Sequence, residues 1–304
     1  MTPPPRATPP LSATLGLLAG AIMISFAAIF VRLSEVPPTT SGVYRMVFGA
    51  SAWLVLLLAV PAMRQGWQKA WPSSILIAAF FCADIWFWHQ SIAFIGPGLS
   101  TLLANFQVFI LTLVGVVFFK EHIHWRFGLG VGLAMAGLWL LFGREWAELT
   151  LEARSGVWLG LMTACAYAFY LLSLRGFQIK HPTIRPEARL MQVTLCCGVM
   201  LGAINAFEGH SFVIPSAQSW LSLIALGLFC QVLGWLLITK SLPQLPAALV
   251  GLLLLIQPAA SVGWDVWFFS LALSPGKVIG LALALVGIYF GLRASKGSDS
   301  IAKP

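Results

Sequence analysis

Long apolar runs recur along the whole chain, and they constrain its fold more than any other feature. The first run, residues 11–31, is long enough to cross about 30 Å of hydrocarbon at about 1.5 Å per helical residue. Only 9% of the 304 residues are charged and 59% are hydrophobic, which is too little polar surface for a water-soluble protein. The solvent expected around this chain is therefore lipid.

Breaks at charges, prolines and glycines divide the chain into ten candidate membrane spans, although two are short or weakly bounded and nine remains an alternative. The spans are residues 11–31, 40–62, 73–95, 99–119, 127–142, 155–174, 189–207, 218–239, 247–269 and 277–292. The proline-rich segment 1–10 is expected to be a disordered tail, and residues 293–304 a second tail on the cytoplasmic side. The sequence thus predicts an all-α integral membrane protein with ten transmembrane helices.

The distribution of cations predicts the orientation of these spans. With ten spans and both termini in the cytoplasm, the cytoplasmic segments hold thirteen of the 18 Lys and Arg residues and the outer loops hold four. The remaining cation is Arg45, inside the second span. The net charge of +8 is spread between apolar runs rather than clustered, so nucleic acid is not an expected partner.

The second half of the chain aligns with the first after a shift of about 150 residues. The informative matches are Gln107 with Gln257, Phe118 and Phe119 with Phe268 and Phe269, Gly130 with Gly280, and Gly137 with Gly287. Nearer the start, a shift of 144 residues aligns Arg45 with Arg189. We therefore predict two five-helix repeats, residues 11–150 and 151–292.

Because each repeat has an odd number of spans, the second must enter the membrane from the opposite side. Such inverted repeats are typical of transporters, in which two halves change shape around a central cavity near the bilayer midplane. Duplication that serves only the stability of the bundle is the alternative.

Polar and aromatic side chains inside the spans are the candidate site residues, because polar groups in lipid are costly unless they face a partner or a wet cavity. Asp84 lies near the middle of the third span and shares a helix face with Trp88. The residues expected to line a cavity are Asp84, Trp88, Asn105, Tyr167, Tyr170, Gln257 and Trp264. Helix packing is the alternative role for each of them.

Three further residues carry expectations of their own. Pro258 removes a backbone hydrogen bond within the ninth span, so it is a candidate gating hinge, or else a tolerated membrane proline. Arg45 and Arg189 are expected near opposite interfaces, where long cationic side chains reach towards water, and a structural role is favoured for both.

The remaining reactive residues give no pattern of a metal, cofactor or nucleophile site. The five cysteines lie inside apolar stretches without metal-ligand spacing, and the five histidines are dispersed. An integral-membrane enzyme that acts on a lipid or small metabolite with Asp84 and His89 as acid and base is the alternative function. Their spacing of five residues places them about 140° apart around a helix, which disfavours joint action.

Two stretches resemble the ten-helix EamA-type exporters of the drug/metabolite transporter superfamily. They run from Gly96 through Phe118-Phe119-Lys120-Glu121 to Gly137, and from Pro246 to Pro258 with Gly280 and Gly287. The resemblance implies a central cavity lined by the first, third, fourth, sixth, eighth and ninth spans. The aromatic-rich segment after Asp84 looks most similar to bacterial exporters of aromatic and other amino acids. The second copy lacks a residue equivalent to Glu121, since Leu271 stands there.

The expected function is therefore efflux of amino acids or related small metabolites across the bacterial inner membrane by alternating access. The expected partners are a small-molecule substrate and the lipid bilayer, with no cofactor, and the chain is expected to act as a monomer. A scaffold that transports nothing is the third alternative. The substrate and the coupling ion are not specified by the sequence.

Overall fold

The fold is described from a computed structural model that covers residues 9–64, 67–121, 123–142, 150, 153–269 and 274–297. Most of the two expected tails, 1–10 and 293–304, and most of the loop between the two predicted repeats lie outside these residues. The side chain of Asp265 also lies outside the description.

The described residues form α-helices joined by short connections. The helices are α1 (Leu11–Ser25), α2 (Ala27–Leu33), α3 (Pro38–Ala59), α4 (Trp67–Ala104), α5 (Gln107–Val117), α6 (Trp125–Phe142), α7 (Arg154–Lys180), α8 (Pro186–Phe207), α9 (Ala217–Ala225), α10 (Trp235–Ser241), α11 (Ala247–Leu254), α12 (Ile256–Phe269) and α13 (Pro275–Gly297). A π-helical segment, Leu226–Gly234, joins α9 to α10, and short 3₁₀ turns lie at Pro61–Arg64 and Leu242–Gln244.

Within these residues, nine helical segments are long and apolar enough to cross a membrane, and Trp125–Leu140 is a shorter apolar helix. The predicted all-α membrane fold is thus confirmed. The first span consists of α1 and α2, the eighth of α9 to α10, and the ninth of α11 and α12. The third span and the start of the fourth both belong to α4.

The chain reverses direction within α4. The hydroxyl oxygens of Ser91 and Ser100 are 2.9 Å apart. Nine residues of straight helix would separate them by about 13 Å. The Ser91 hydroxyl also donates to the carbonyl oxygen of Gly156 at 2.8 Å, which fixes this turn against the start of α7.

The helices pair as two inverted repeats require. Three spans pack against their own counterparts in the other repeat: the second against the seventh through α3 and α8, the fourth against the ninth through α5 and α11, and the fifth against the tenth through α6 and α13. The third span packs against the sixth through α4 and α7, and the first against the eighth through α1 and α10. A twofold rotation that exchanges the repeats turns the pair of the third and sixth spans into the pair of the eighth and first spans. These two contacts are therefore equivalent as well.

Glycines bring α6 and α13 into backbone contact. A Cβ atom at Gly137 would lie 2.5 Å from the carbonyl oxygen of Gly280, and one at Gly287 would lie 2.6 Å from that of Gly130. The two contacts are reciprocal, since each joins a glycine of one repeat to a glycine of the other. Small residues permit such close approach between membrane helices.

The fourth and ninth spans are both interrupted, at positions that the repeat makes equivalent. Helix α4 ends at Ala104 and α5 begins at Gln107, whereas α11 ends at Leu254 and α12 begins at Ile256. In the ninth span, Pro258 has no N–H to donate to Leu254. In the fourth span Val108 occupies the equivalent position, and its N–H bonds to the Asn105 carbonyl at 3.1 Å. Proline therefore accompanies only one of the two interruptions.

Candidate functional site

Asp84 lies inside the bundle with an unpaired carboxylate. Its side chain is enclosed by protein atoms, yet it keeps solvent-accessible surface. Neither carboxylate oxygen has a hydrogen-bond or ion-pair partner among the residues that the structure describes. We call the accessible space beside this carboxylate the central chamber and define it by Arg45, Asp84, Tyr167 and Gln257.

Tyr167 of α7 and Gln257 of α12 complete the chamber wall beside Asp84. Gln257 lies beside the Tyr167 hydroxyl, and Tyr167 interacts electrostatically with Asp84 and with Arg45. Tyr167 and Gln257 are both half-buried. The structure therefore brings together three of the seven site residues expected from the sequence, although they come from three different helices.

Arg45 lies in the chamber, which corrects the expectation that it reaches towards the interface. Its Nε donates to Oε1 of Gln231 at 2.9 Å, and Gln231 Nε2 in turn donates to the Thr194 hydroxyl at 3.0 Å. The guanidinium carbon lies 5.7 Å from the centre of the Phe81 ring, and the side chain is partly accessible. Gln231 thus turns Arg45 inwards.

A sequence signal for this inward orientation was present. Gly42, Arg45 and Gly49 follow spacings of three and four residues, so they share one face of α3. A Cβ at Gly49 would lie 2.8 Å from Cγ of Gln231, which shows that this face is packed against the eighth span. Small residues on the face of a membrane helix favour burial against another helix, and an arginine between them shares that side.

Aromatic rings close the chamber on one side. The ring centroid of Phe81 lies 4.4 Å from that of Tyr170, in a stacked arrangement. Trp235 meets both rings edge-on, at 5.2 Å from Phe81 and 4.8 Å from Tyr170. All three side chains are buried. Tyr170 therefore belongs to a packed aromatic floor rather than to the accessible wall.

The other three expected site residues are held elsewhere. Asn105 donates from Nδ2 to the Thr101 carbonyl of its own helix at 2.7 Å. Trp264 donates from Nε1 to the Ser25 hydroxyl at 2.7 Å and stacks on Phe26 at 4.1 Å. The ring of Trp88 lies 5.4 Å from that of its neighbour His89. None of these contacts reaches Asp84, and their part in substrate binding stays a prediction.

His89 is not placed to share a proton with Asp84. It is buried, and its Cε1 lies 3.3 Å from where a Cβ of Gly42 would be, so the imidazole packs against α3. No contact between His89 and Asp84 occurs in the described parts of the chain. The geometry thus gives no support to an acid and base pair, and no group of three potential metal ligands occurs among the described residues.

Glu121 seals one end of the chamber. Its two carboxylate oxygens accept hydrogen bonds from the backbone N–H groups of Ala247 and Ala248, at 2.8 and 3.1 Å. Nη2 of Arg175 lies 3.8 Å from Oε1 of Glu121, and its Nε donates to the Leu242 carbonyl at 3.2 Å. A carboxylate at a helix N-terminus is stabilised by the free N–H groups and by the helix dipole. Glu121 therefore fastens the end of the fourth span to the start of the ninth.

The two halves of the ninth span differ in accessibility. All eight residues of α11 are buried, whereas Gln257, Ser261 and Trp264 of α12 are partly accessible. The bundle is thus packed shut on the side of Glu121, whereas α12 keeps accessible surface. In the orientation predicted from the cations, the shut side is cytoplasmic.

Comparisons with known proteins agree with this architecture. The EamA-like transporter family matches residues 11–143 and again residues 154–293. An uncharacterized transporter of Bacillus subtilis, YwfM, is 25% identical over 255 residues, which is 83% of each chain. A solved crystal structure superposes with a TM-score of 0.78 over 92% of this chain and 96% of its own, at 20% identity, which supports the fold. The chain belongs to the EamA-like transporter family within the drug/metabolite transporter superfamily, and it is a multi-pass membrane protein.

Proposed function

We propose that this transporter exports amino acids, or similarly small metabolites, across the bacterial inner membrane by alternating access. The observation that carries the proposal is the central chamber, which holds an unpaired carboxylate and is packed shut on the Glu121 side, while α12 keeps accessible surface. A chamber of this form binds a polar solute away from lipid and releases it on the accessible side. Both termini are cytoplasmic in this proposal, so the accessible side faces outwards.

The symmetry of the helix pairs supports the alternating step. An exchange of the two repeats maps the bundle onto itself with its ends reversed, so a second state of similar packing is open at the Glu121 side. The interruptions after Ala104 and Leu254 offer places where the fourth and ninth spans can change direction. Tyr167 presents a ring to the chamber, which suits amino acids with aromatic side chains.

Flux measurements test the proposal. The purified protein is reconstituted in liposomes loaded with labelled amino acids, and release is followed with and without a proton gradient. We expect protein-dependent release of at least one amino acid, and slower release from Asp84→Asn. Val199→Ala is the matched control, because Val199 is 67% exposed on the outer surface of α8. Absence of protein-dependent flux across amino acids and other small metabolites would overturn the proposal.

A further inference from the structure

Arg45 and Asp84 have the geometry of a site for a ligand with two opposite charges. Arg45 faces the part of α4 that holds Asp84, since its guanidinium lies 5.7 Å from the Phe81 ring and a Cβ at Gly42 would lie 3.4 Å from Cγ2 of Ile85. We propose that Arg45 and Asp84 bind a zwitterion, with its carboxylate on the guanidinium of Arg45 and its ammonium on the carboxylate of Asp84. This inference rests on the proposed function and assigns the two charge contacts of its substrate. It gives Arg45 a binding role where the sequence predicted a structural one.

The first argument is the unpaired state of Asp84. A carboxylate within a membrane-embedded bundle is costly unless a charged or hydrogen-bonding partner compensates for the lost water. No such partner occurs among the described residues within hydrogen-bond or ion-pair distance. Asp84 is partly accessible, so a cation can approach it, and a ligand ammonium supplies the missing hydrogen bonds.

The second argument is the way in which Arg45 is held. Gln231 accepts a hydrogen bond from the Nε of Arg45 alone, and its own hydrogen bond to Thr194 holds it in place. The two Nη atoms make no hydrogen bond to any described residue, and neither is fully buried. A guanidinium in this state presents two parallel donors, which is the geometry that binds a carboxylate through both oxygens.

The third argument is charge balance. Arg45 and Asp84 interact electrostatically across the chamber, but no ion pair within 4.0 Å joins them. A purely anionic ligand on Arg45 leaves the negative charge of Asp84 without a partner. A purely cationic ligand on Asp84 leaves the positive charge of Arg45 without a partner. A zwitterion satisfies both groups and adds no net charge to a medium of low dielectric constant.

Binding of matched analogues to the full-length protein in detergent tests the inference. Each of the common amino acids is screened by thermal stabilisation. The best binder is then compared with its deaminated acid and its decarboxylated amine; for phenylalanine these are 3-phenylpropionate and 2-phenylethylamine. We expect the amino acid to bind at least tenfold more tightly than either analogue, since each analogue leaves one charge of the site unpaired. Equal affinity for either analogue, or no binding by any amino acid, overturns the inference.

Substitutions assign the two contacts. In Asp84→Asn we expect the preference over the deaminated acid to fall below about threefold, while the preference over the amine remains. In Arg45→Gln we expect the reverse pattern. Arg45→Lys and Asp84→Glu keep the charge and serve as the variants that are expected to fold if the first two do not. A parallel loss of affinity for all three probes in both Asp84 variants indicates a structural or proton-binding role and refutes the assignment.

Failure of this inference is distinguishable from failure of the proposed function. Liposome flux of a metabolite that carries only one charge, without zwitterion binding, retains the transporter and removes the zwitterion site. Zwitterion binding without flux of any amino acid retains the zwitterion site and overturns the proposed transport of amino acids.

Discussion

The two repeats agree in how they pack and differ in where they place charge. Two equivalent glycine contacts join the repeats, Gly130 with Gly287 and Gly137 with Gly280. The acidic residues Asp84 and Glu121 have no such symmetry: the position equivalent to Asp84 is Gly234, in the π-helical segment, and the one equivalent to Glu121 is Leu271. The difference teaches that duplication produced the scaffold, whereas the acidic groups of the chamber and of its seal come from the first repeat alone.

The equivalent arginines show this difference most directly. Arg189 is 1% exposed, and its Nη1 donates to the Ser73 hydroxyl at 2.8 Å beneath the ring of Phe177. It does not reach towards the interface as the sequence suggested, because Ser73 of α4 and Phe177 of α7 enclose it. Arg45 lies open to the chamber. The same residue type in equivalent positions thus fills a packed site in one repeat and an accessible one in the other.

The largest effect is expected where the repeats agree. Gly137→Leu and Gly287→Leu each force a side chain into the backbone of the facing helix, and overpacking of this kind costs about 1–3 kcal/mol or more. We expect both variants to lose most of the monodisperse protein, and by similar amounts. Size-exclusion chromatography after heating measures the loss. Gly132→Leu is the control, since a Cβ at Gly132 meets nothing within 4 Å. Unequal losses at the two glycines would break the symmetry of the packing.

The second-largest effect is expected at Glu121, which seals one end of the chamber. Glu121→Ala removes two hydrogen bonds to a charged acceptor, each worth about 1.5–3 kcal/mol, and a factor of ten corresponds to about 1.4 kcal/mol. We therefore expect the sealed end to open in a much larger fraction of molecules. The measurement is labelling of Leu174→Cys by a membrane-impermeant maleimide, in a variant without the native cysteines, and the rate should rise at least tenfold.

Glu208→Ala is the control for the seal. Glu208 accepts hydrogen bonds from Trp86 and Gln90 at 2.7 and 2.8 Å, but it follows α8 at the other end of the bundle. Its substitution removes comparable interactions and should leave the labelling of Leu174→Cys unchanged. An equal rise in both variants indicates general loosening rather than a seal on one side.

The arginines provide a smaller and more specific test. Arg45→Lys loses the planar pair of donors, so we expect flux per folded molecule to fall about tenfold with little change in thermal stability. Arg189→Lys loses one hydrogen bond, worth about 1 kcal/mol, and should lower the melting temperature while flux per folded molecule stays unchanged. Liposome flux and thermal melting, measured on both variants, check the pair. If the two substitutions change flux and melting temperature by the same amounts, Arg45 and Arg189 do not differ in role as argued above.

The sequence predicted the scaffold better than the site because the two depend on different information. Gly137 and Gly287 occupy equivalent positions in the two repeats. The hydropathy and the spacing of residues along one helix are enough to identify this equivalence. The position of Arg45 depends on Gln231, 186 residues away, so no local pattern specifies it. Polarity inside a span is unusual and selects Tyr167 and Gln257, but it selects equally Asn105, whose side chain bonds to its own helix.

The smallest effect is expected at Pro258. Pro258→Ala supplies an N–H for the Leu254 carbonyl, and one added hydrogen bond of about 1 kcal/mol stiffens the ninth span against bending. Because the fourth span is interrupted with Val108 at the equivalent position, we expect the break to persist and flux to slow by a factor of about two to five. Pro275→Ala is the control, since Pro275 begins α13, where no N–H is required. Unchanged flux in Pro258→Ala makes Pro258 a tolerated membrane proline, and the interruption of both spans is then a consequence of packing between the repeats.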